Sequence, residues 1–373
     1  MSSAAPYHKK NMNDIKVDLG SRSYNIAVAS HRLGKFARLL KGLGIGSDPV
    51  IITVPKLKRV YGSVLESALA GSGFNPRFEL VADSETSKSA QSAFRVINRI
   101  AAYDRLKKVF IVAFGGGVTG DLAGFVASVY KRGIPYVQLP TTLLAQVDSS
   151  IGGKVAIDLP AGKNLVGSFY QPRLVFSDTA FLKTLPPRQI RCGLAEIIKY
   201  GVIRDSSLFS FLEDNLSRIL MLDKAALKYI ITKCSGIKAR VVSADEFDNK
   251  GLRVMLNYGH TIGHAIEAAC GYSSGYNHGE AIALGMIAAN HIARDMGLLS
   301  GEGAGRIHGL IKRCGLPTKA KGISLNAVYK LHMSDKKFIH KKNRFVLPKR
   351  IGAVITVENV PSKPVKGAIR SIL

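Results

Sequence analysis

No apolar run in this sequence of 373 residues reaches the roughly 18–20 residues that a membrane-spanning helix needs. The most apolar stretch, residues 109–130, is interrupted by five glycines and by Asp121, which favours a buried strand, turn and helix. The first 14 residues carry charges without an apolar core behind them, which argues against a secretory signal. We therefore expect a cytoplasmic protein with no membrane contact, and a disordered tail over residues 1–14.

Cysteine is also scarce. The sequence contains four, far apart and without a CxxC pair: Cys192, Cys234, Cys270 and Cys314. This spacing argues against a zinc ribbon and against a disulfide framework. We predict four reduced thiols that are buried as spectators.

Acidic residues are few, with 26 Asp and Glu against 53 Lys and Arg, for a net charge of +27. A surface this basic can attract nucleic acid, anionic lipid or an anionic metabolite. The basic residues are spread along the chain, and no helix-turn-helix, finger or RNA-recognition pattern accompanies them. The sequence therefore favours an anionic small molecule over nucleic acid as the partner.

The length suits two domains, and the first half of the chain has the pattern of an α/β protein. Short β-branched runs alternate there with helical spacing of apolar residues, which is typical of a parallel sheet covered by helices on both faces. The predicted strands are 15–19, 24–29, 49–54, 108–114, 135–139 and 174–177, and the predicted helices between them are 57–70 and 89–103.

The spacing becomes helical after the pair Pro186 and Pro187. We predict a Rossmann-like parallel-sheet domain over residues 15–185, a hinge at the double proline, and a mostly helical domain over residues 186–373. The predicted helices of this second domain are 189–203, 207–212, 224–244, 259–269, 280–296 and 303–312.

A glycine-rich turn, GGGVTGD at residues 115–121, directly follows a predicted strand and precedes a helical stretch. Glycines let the backbone approach a pyrophosphate, and a helix N-terminus supplies free N–H groups. The alternative is a tight turn without a ligand. Because the turn follows a buried strand, we predict a dinucleotide site, to which Thr141 and Thr142 after the next strand could contribute hydroxyls.

Two further glycine-containing segments, residues 148–154 and 162–164, carry Lys154, Lys163 and Asn164. Lysine, asparagine and serine in such loops suit a pocket for phosphate and carboxylate, because both anions need several short donors. The alternative is ordinary solvated loop charge. The apolar flanks lead us to expect that both lysines are nearly buried.

Three histidines lie within nineteen residues. His260 and His264 are spaced i, i+4 on one helix face, and His278 opens a later helix. Upstream, Glu196 lies in a helical run with Lys199 close by. A catalytic zinc takes three N/O protein ligands, so Glu196 and two of the three histidines could form the set. The spacing alone leaves open which two, and it does not match the HExxH pattern.

Taken together, these segments resemble the 3-dehydroquinate synthase family of sugar-phosphate cyclases. The resemblance spans about residues 15 to 350 and is carried in order by GGGVTGDLAGFVAS, RGIPYVQLPTTLLAQVDSSIGGKVAID, GKNLVGSFYQP, FLKTLP, GLAEIIKYG, GLRVMLNYGHTIGHAIEA and NHGEAIALGM. It implies an NAD-binding α/β domain, a helical domain with the metal, and a homodimer.

The resemblance also assigns roles to residues. As metal ligands it implies Glu196, His260 and His278, with His264 near the substrate. As further catalytic or substrate-pocket residues it implies Lys154, Lys163, Asn164, Lys199, Lys238, Arg253, Asn257, Lys336 (or its neighbour Lys337) and, reaching the partner subunit, Arg132. As cofactor contacts it implies Asp83, Glu85, Lys88, Gly116, Gly117, Val118, Thr119, Gly120, Asp121, Thr141, Thr142, Leu144, Asp148, Lys154, Lys163, Phe181 and Thr184.

Two positions depart from the family. Thr53 is followed by Val54 and Pro55 where the family commonly has Asp or Asn to hold the adenine ribose, and Ser84 replaces a glycine. Both departures concern the adenosine end of the cofactor.

The reaction that the resemblance implies converts 3-deoxy-D-arabino-heptulosonate 7-phosphate to 3-dehydroquinate and phosphate, with tightly held NAD and zinc or cobalt. This reaction belongs to the shikimate pathway, which leads to chorismate and the aromatic amino acids. The alternatives are another sugar-phosphate cyclase that forms valiolone- or inosose-type rings, a metal-dependent polyol dehydrogenase, and a noncatalytic basic protein on the same fold.

Overall fold

The computed structural model describes residues 14–271, 275–333 and 343–373. The chain divides into two compact units: unit 1 comprises the residues up to 140 together with 153–179, and unit 2 comprises 141–152 together with 180–373. The boundary expected at 185/186 lies six residues after the one near 179/180. The segment 141–152 groups with unit 2 because its π-helical turn packs against two long helices of that unit. The periodicity of apolar residues could not reveal that segment 141–152 packs with unit 2, because periodicity reports only local structure. Almost all of the predicted tail lies outside the described residues.

Unit 1 is built around a seven-stranded sheet in the order β1-β2-β9-β6-β5-β3-β4, parallel except for the β1–β2 pair. A separate antiparallel hairpin is formed by β7 and β8. The strands are β1 Asp14–Val17, β2 Tyr24–Ala29, β3 Asp48–Thr53, β4 Arg77–Leu80, β5 Val109–Gly115, β6 Tyr136–Pro140, β7 Lys154–Leu159, β8 Gly162–Phe169 and β9 Leu174–Asp178.

Four helices belong to unit 1: α1 Leu33–Leu43, α2 Pro55–Ala70, α3 Ala90–Tyr103 and α4 Gly117–Val129. Alternate residues of the central strands, such as Ile52 and Ile111, point to one face of the sheet, because strand side chains alternate. They pack there against Val96 of α3 and Leu122 of α4 in a fully apolar core. The run of buried residues in β3 and β5 explains why both strands could be predicted from composition.

Unit 2 is mostly helical, with one antiparallel hairpin of β10 Arg344–Arg350 and β11 Ala353–Glu358. Its helices are α5 Pro187–Ile203, α6 Ser206–Leu220, α7 Lys224–Ala244, α8 His260–Ala269, α9 His278–Asp295, α10 Gly301–Arg313, α11 Leu325–Met333 and α12 Ser362–Ile372. Helix α9 is almost entirely buried and contacts α5, α8, α10, α12 and β10, so it is the centre of this unit.

Glycines allow α9 to approach its neighbours closely. A Cβ atom at Gly285 would lie 1.9 Å from the carbonyl oxygen of Gly259, just before α8. A Cβ atom at Gly279, in the first turn of α9, would lie 2.3 Å from the carbonyl oxygen of Cys192 on α5. Neither contact tolerates a side chain, so the start of α9 is held tightly against both helices.

The predicted fold class is confirmed, and most predicted elements lie within a few residues of their observed bounds. Several features were missed, among them helices α11 and α12 and strand β7. Strand β4 and helix α1 had no strong signal, residues 162–164 belong to β8 instead of a loop, and β10–β11 form a hairpin within the helical half. Within the described residues, no helix is both long and apolar enough to cross a membrane.

All four cysteines are free. Three are buried, and burial raises the pKa of Cys192 and of Cys314 to about 12, which keeps both thiols protonated and unreactive. Cys270 is only half-buried, so the expectation of four buried thiols is wrong at this position. It is the C-cap residue of α8 and precedes the exposed Gly271.

We expect Gly285→Ala to destabilise the protein, because the new methyl group meets backbone that cannot rotate away. Overpacking a core typically costs about 1–3 kcal/mol, and this contact falls at the upper end. Gly305→Ala is the matched control, since no described atom lies within 4 Å of its Cβ position on α10. That control should gain about 0.5–1 kcal/mol of helix stability. Urea unfolding of both variants measures the difference, and equal stabilities would contradict the packing argument.

Candidate metal and dinucleotide sites

Glu196 of α5, His260 of α8 and His278 of α9 converge in unit 2. Each offers a ligand atom, and these atoms all lie within 4.8 Å of one another. The Nε2 atoms of His278 and His260 lie 3.1 and 3.4 Å from Oε1 of Glu196. The carboxylate of Glu196 has no solvent exposure. The structure therefore brings together the three residues that the family resemblance implies as ligands.

The three residues fit a divalent ion. Ligands at zinc bond lengths around a tetrahedral centre are spaced by about 3.4 Å, close to the separations found here. The Nδ1 atom of His260 lies 3.0 Å from the backbone carbonyl of Tyr258. If Nδ1 carries the proton and donates a hydrogen bond to that carbonyl, Nε2 keeps its lone pair, which is directed at Glu196. Two imidazoles and one carboxylate form the donor set of many catalytic zinc sites.

The ring of His278 lies between two carboxylates. Its Nδ1 atom lies 3.5 Å from Oε2 of Glu267, on the side away from Glu196. Burial alone would lower the pKa of His278, but hydrogen bonds to Glu196 and Glu267 outweigh burial and raise the pKa to about 10. The position therefore favours a positive charge, which is what a metal-binding site requires.

The position of His278 is set by the start of α9. Asn277 and Glu280 form a capping box at this helix start. The backbone N–H of Asn277 donates to the side chain of Glu280, and the backbone N–H of Glu280 donates to the side chain of Asn277. The guanidinium of Arg188, from the first turn of α5, donates to both oxygens of Glu280 at 2.7 and 2.6 Å. This clasp joins the first turns of the helices that carry Glu196 and His278.

A second buried network adjoins the candidate ligands. Lys199, one turn after Glu196 on α5, forms ion pairs with Glu196 and, at 3.3 Å, with Asp148 in the π-helical turn. Lys238 of α7 also pairs with Asp148 and donates to its backbone carbonyl at 2.8 Å. Burial would raise the pKa of Asp148, but Lys199 and Lys238 hold it well below its usual range. Asp148 is therefore an anion that compensates two buried cations.

Arg253 is held in unit 2 by a compact turn. The carboxylate of Asp245 accepts four backbone N–H groups, from Asn249, Lys250, Leu252 and Arg253. The guanidinium of Arg253 donates to the carbonyl of Glu246 at 2.8 Å, and it would meet a Cβ atom at Gly152. Residues 245–253 thus form an ordered turn that presents the buried Arg253.

The remaining predicted residues of unit 2 are more scattered. His264 is half-buried, with its ring centre 5.2 Å from that of His260. Asn257 ends a short 3-10 turn before α8. Thr142 accepts the N–H of Ala145 and so helps to start the π-helical turn, and Thr141 is buried. Leu144 lies at the beginning of the same turn. Phe181 and Thr184 lie in the 3-10 segment before α5, where Phe181 is buried and Thr184 is exposed.

In unit 1 the glycine turn leads from β5 into α4. Gly116 is the N-cap and α4 begins at Gly117, without a side-chain hydrogen bond to the cap. Residues 116–118 are half-exposed, so the start of this helix is partly accessible at the carboxyl end of β5. Such a helix start can accept a pyrophosphate. Thr119 and Gly120 are buried beneath it.

Five predicted residues form one charged cluster in unit 1: Lys88, Glu85, Asp121, Lys163 and Asn164. The family resemblance implies cofactor contacts for the first three, a substrate contact for Asn164 and both roles for Lys163. Lys88 is at its centre, 2.8 Å from Asp121 and hydrogen-bonded to the side chain of Asn164. Lys163 lies 3.1 Å from Glu85. Burial lowers the pKa of Lys88, but Asp121 and its other acidic neighbours outweigh burial and raise it.

The expectation that both loop lysines are nearly buried is wrong. Lys154 is exposed, 5.8 Å above the ring of Phe169, and Lys163 is half-buried. The physical reason is that both residues lie on the β7–β8 hairpin, whose second strand is largely exposed. Asp83, just beyond β4, is exposed as well. Lys336 and its alternative Lys337 lie outside the described residues.

Sequence reasoning missed several residues that contact the predicted ones, including Asp158, which accepts the backbone N–H of Asn164 at 2.8 Å. Tyr200 is fully buried and donates from its hydroxyl to Asp148 at 3.1 Å. Glu267 faces His278, as described above. Glu267 lies seven residues after His260, two helical turns along the same helix, and this spacing is a signal that could have identified it.

Comparisons with known proteins place the chain first in a class. Its fold is similar to that of 2-deoxy-scyllo-inosose synthase solved with carbaglucose-6-phosphate, NAD+ and Co2+, at a TM-score of 0.87 and 28% identity, covering 97% of this chain and 100% of that one. It is also similar to 2-epi-5-epi-valiolone synthase of Streptomyces hygroscopicus subsp. jinggangensis 5008, solved with NAD+ and Zn2+. The TM-score is 0.87 and the identity 26%, and the match covers 95% of this chain and 98% of that one. These neighbours are sugar-phosphate cyclases.

The sequence comparisons are more specific. Residues 79–192 match the model of the 3-dehydroquinate synthase N-terminal region, and residues 193–338 match that of the C-terminal region. The 3-dehydroquinate synthase of Desulforamulus reducens is 45% identical over 350 residues, covering 94% of this chain and 97% of that protein. The chain belongs to the 3-dehydroquinate synthase family, which confirms the resemblance seen in the sequence.

We expect Asp148→Asn to destabilise unit 2, because Lys238 would remain buried without its counter-charge. Breaking a buried ion pair costs about 3–5 kcal/mol, and the pairing of Lys199 with Glu196 should keep the loss near the lower value. Glu358→Gln is the control, since it removes a more exposed pair with Arg344 that should contribute less than about 1 kcal/mol. Denaturant unfolding of both variants measures the loss of unfolding free energy. Equal losses would show that the Asp148 ion pairs stabilise the protein no more than an exposed pair does.

Proposed function

We propose that the chain converts 3-deoxy-D-arabino-heptulosonate 7-phosphate to 3-dehydroquinate and phosphate, using bound NAD+ and a zinc or cobalt ion. The observation that carries the proposal is the convergence of Glu196, His260 and His278 in unit 2. Support also comes from relatives about 45% identical over nearly the whole chain, which are 3-dehydroquinate synthases. The inosose and valiolone synthases, at 28% and 26% identity, are more distant relatives.

The two groups would supply the chemistry that side chains lack: NAD+ reversible hydride transfer, and the metal ion polarisation of substrate hydroxyls. Glu196, His260 and His278 would hold the ion. The accessible start of α4 and the cluster around Lys88 would hold the dinucleotide. Because a hydride removed from the substrate is later returned, the reaction consumes no cofactor.

The other residues bind and orient the substrate. Arg253 offers a planar guanidinium that suits the substrate carboxylate. Lys199 and Lys238 provide fixed positive charge where negative charge develops on substrate oxygen, and Asp148 keeps both ammonium groups in place. His264 can move a proton, because the usual pKa of histidine lies near neutrality. The proposal also includes five predicted substrate contacts: Lys154, Lys163, Asn164, Asn257 and Lys336. The other residues that the family resemblance implies as cofactor contacts are proposed to contact NAD+.

We expect purified protein to release inorganic phosphate from the heptulosonate phosphate, with NAD+ in catalytic amounts and no net rise in NADH absorbance. Glu196→Gln should lower this rate by about 100-fold or more, since it removes one metal ligand and its charge. The control is Glu302→Gln, an exposed change on α10. Net NADH formation from a polyol would favour the dehydrogenase alternative. Turnover of glucose 6-phosphate in place of the carboxylated substrate would favour another cyclase.

Arg132 suggests how a homodimer could act. It lies exposed in a turn where Lys131 and Arg132 both have positive φ angles of 49° and 63°. Such backbone is costly for residues other than glycine and is held here by Asp104. The carboxylate of Asp104 accepts from Tyr130 Oη at 3.0 Å and pairs with Lys131 Nζ at 2.6 Å. Arg132 is exposed in this anchored turn, and a residue that serves a partner subunit would need such exposure.

If Arg132 serves the partner subunit, two inactive variants should complement each other. Arg132→Ala and Glu196→Gln are each expected to be inactive as homodimers. In a random mixture, the heterodimer contains one intact site, so activity should recover to about a quarter of wild type. Co-expression with two different tags and a phosphate-release assay test this. Absence of recovery in a verified heterodimer would show that Arg132 acts within its own chain.

A further inference from the structure

Glu267 has a place in unit 2 that neither the family resemblance nor the sequence pattern assigns. It lies on α8, with 14% of its side chain exposed, and its Oε2 atom is 3.5 Å from Nδ1 of His278. The other nitrogen of that ring, Nε2, is 3.1 Å from Glu196 on α5. The imidazole therefore lies between two carboxylates that come from two different helices.

A neutral imidazole binds a single metal ion through one nitrogen, and the other nitrogen then carries a proton. A carboxylate that accepts this proton fixes the tautomer, orients the ring and makes the ligand more basic. We propose that Glu267 is a positioning residue, which orients His278 for a divalent ion held by Glu196, His260 and His278. The inference rests on the proposed metal site and adds to it the group that directs one of its ligands.

The two histidines are oriented by different means, and this difference makes the inference testable. Nδ1 of His260 faces the backbone carbonyl of Tyr258, which no substitution removes. Nδ1 of His278 faces a side chain. A change at Glu267 should therefore affect one ligand and leave the other in place.

A competing interpretation uses the same residues. His264, Glu267 and His278 also have ligand atoms within 4.8 Å of one another and could form a second metal site. That site would need Nδ1 of His278 as a ligand while Nε2 serves the first ion. If Nδ1 instead carries a proton directed at Glu267, the chain binds one ion. The number of bound ions separates the two interpretations.

The experiment measures metal binding to the full chain. Protein stripped with a chelator is titrated with Zn2+ against a chromophoric competitor, and the visible spectrum of the Co2+-loaded protein reports the ligand geometry. Glu267→Ala should weaken zinc binding by about 10–100-fold and alter the Co2+ spectrum. Glu267→Gln should lose less, since its amide oxygen can still accept a hydrogen bond from the N–H of His278. Glu66→Gln, an exposed glutamate of α2, is the matched control and should bind like wild type.

Each outcome decides between the claims. Zinc affinity of Glu267→Ala within about twofold of wild type, with an unchanged Co2+ spectrum, overturns the inference, since removal of such a partner normally costs tenfold or more. If Glu267→Ala does not fold, the same criterion applies to Glu267→Leu, which also lacks an acceptor for His278 but fills more of the space. Two ions on wild type, one of which Glu267→Ala removes, would establish the second site instead. If Glu196→Gln binds zinc like wild type, the proposed metal site itself fails, whatever the Glu267 variants do.

Discussion

Glu196 is a carboxylate with no exposure to solvent, and the arrangement of unit 2 depends on how its charge is compensated. Burying an unpaired charge is too costly for a folded protein, so cationic groups must surround it. Lys199 supplies one from the same helix, and the imidazoles of His260 and His278 approach the other side. Because Lys199 also needs Asp148, and Asp148 in turn holds Lys238, a single buried charge organises a network that spans three segments of the chain.

This electrostatic arrangement depends on close helix packing. The glycines at 279 and 285 let α9 approach α5 and α8 to distances that no side chain would permit. The clasp of Arg188 and Glu280 then holds the first turn of α9. The candidate ligands thus belong to the most buried elements of the unit, which suits a site whose groups must keep fixed positions.

Sequence reasoning was most successful where one element or one motif carries the information. The strands with continuous apolar runs and the helix α7 were predicted close to their observed positions. The glycine motif was correctly placed between β5 and α4, although the helix already begins at Gly117. It was weakest where distant segments meet. The i, i+4 spacing of His260 and His264 suggested a pair, yet the group closest to Glu196 combines His260 with His278. The family resemblance implied that choice, but spacing could not, because it carries no information across helices.

The sequence by itself determined the family, the order of strands and helices, and the residue types available for a dinucleotide, a metal ion and an anionic substrate. These follow from local patterns and from motifs in a recognisable order. Only the tertiary structure decided which segments pack together: that residues 141–152 belong to unit 2, that Lys154 is exposed on a hairpin, and that Glu267 faces His278. Each of these depends on contacts between residues distant in the chain, which burial and charge compensation select and which linear spacing does not encode.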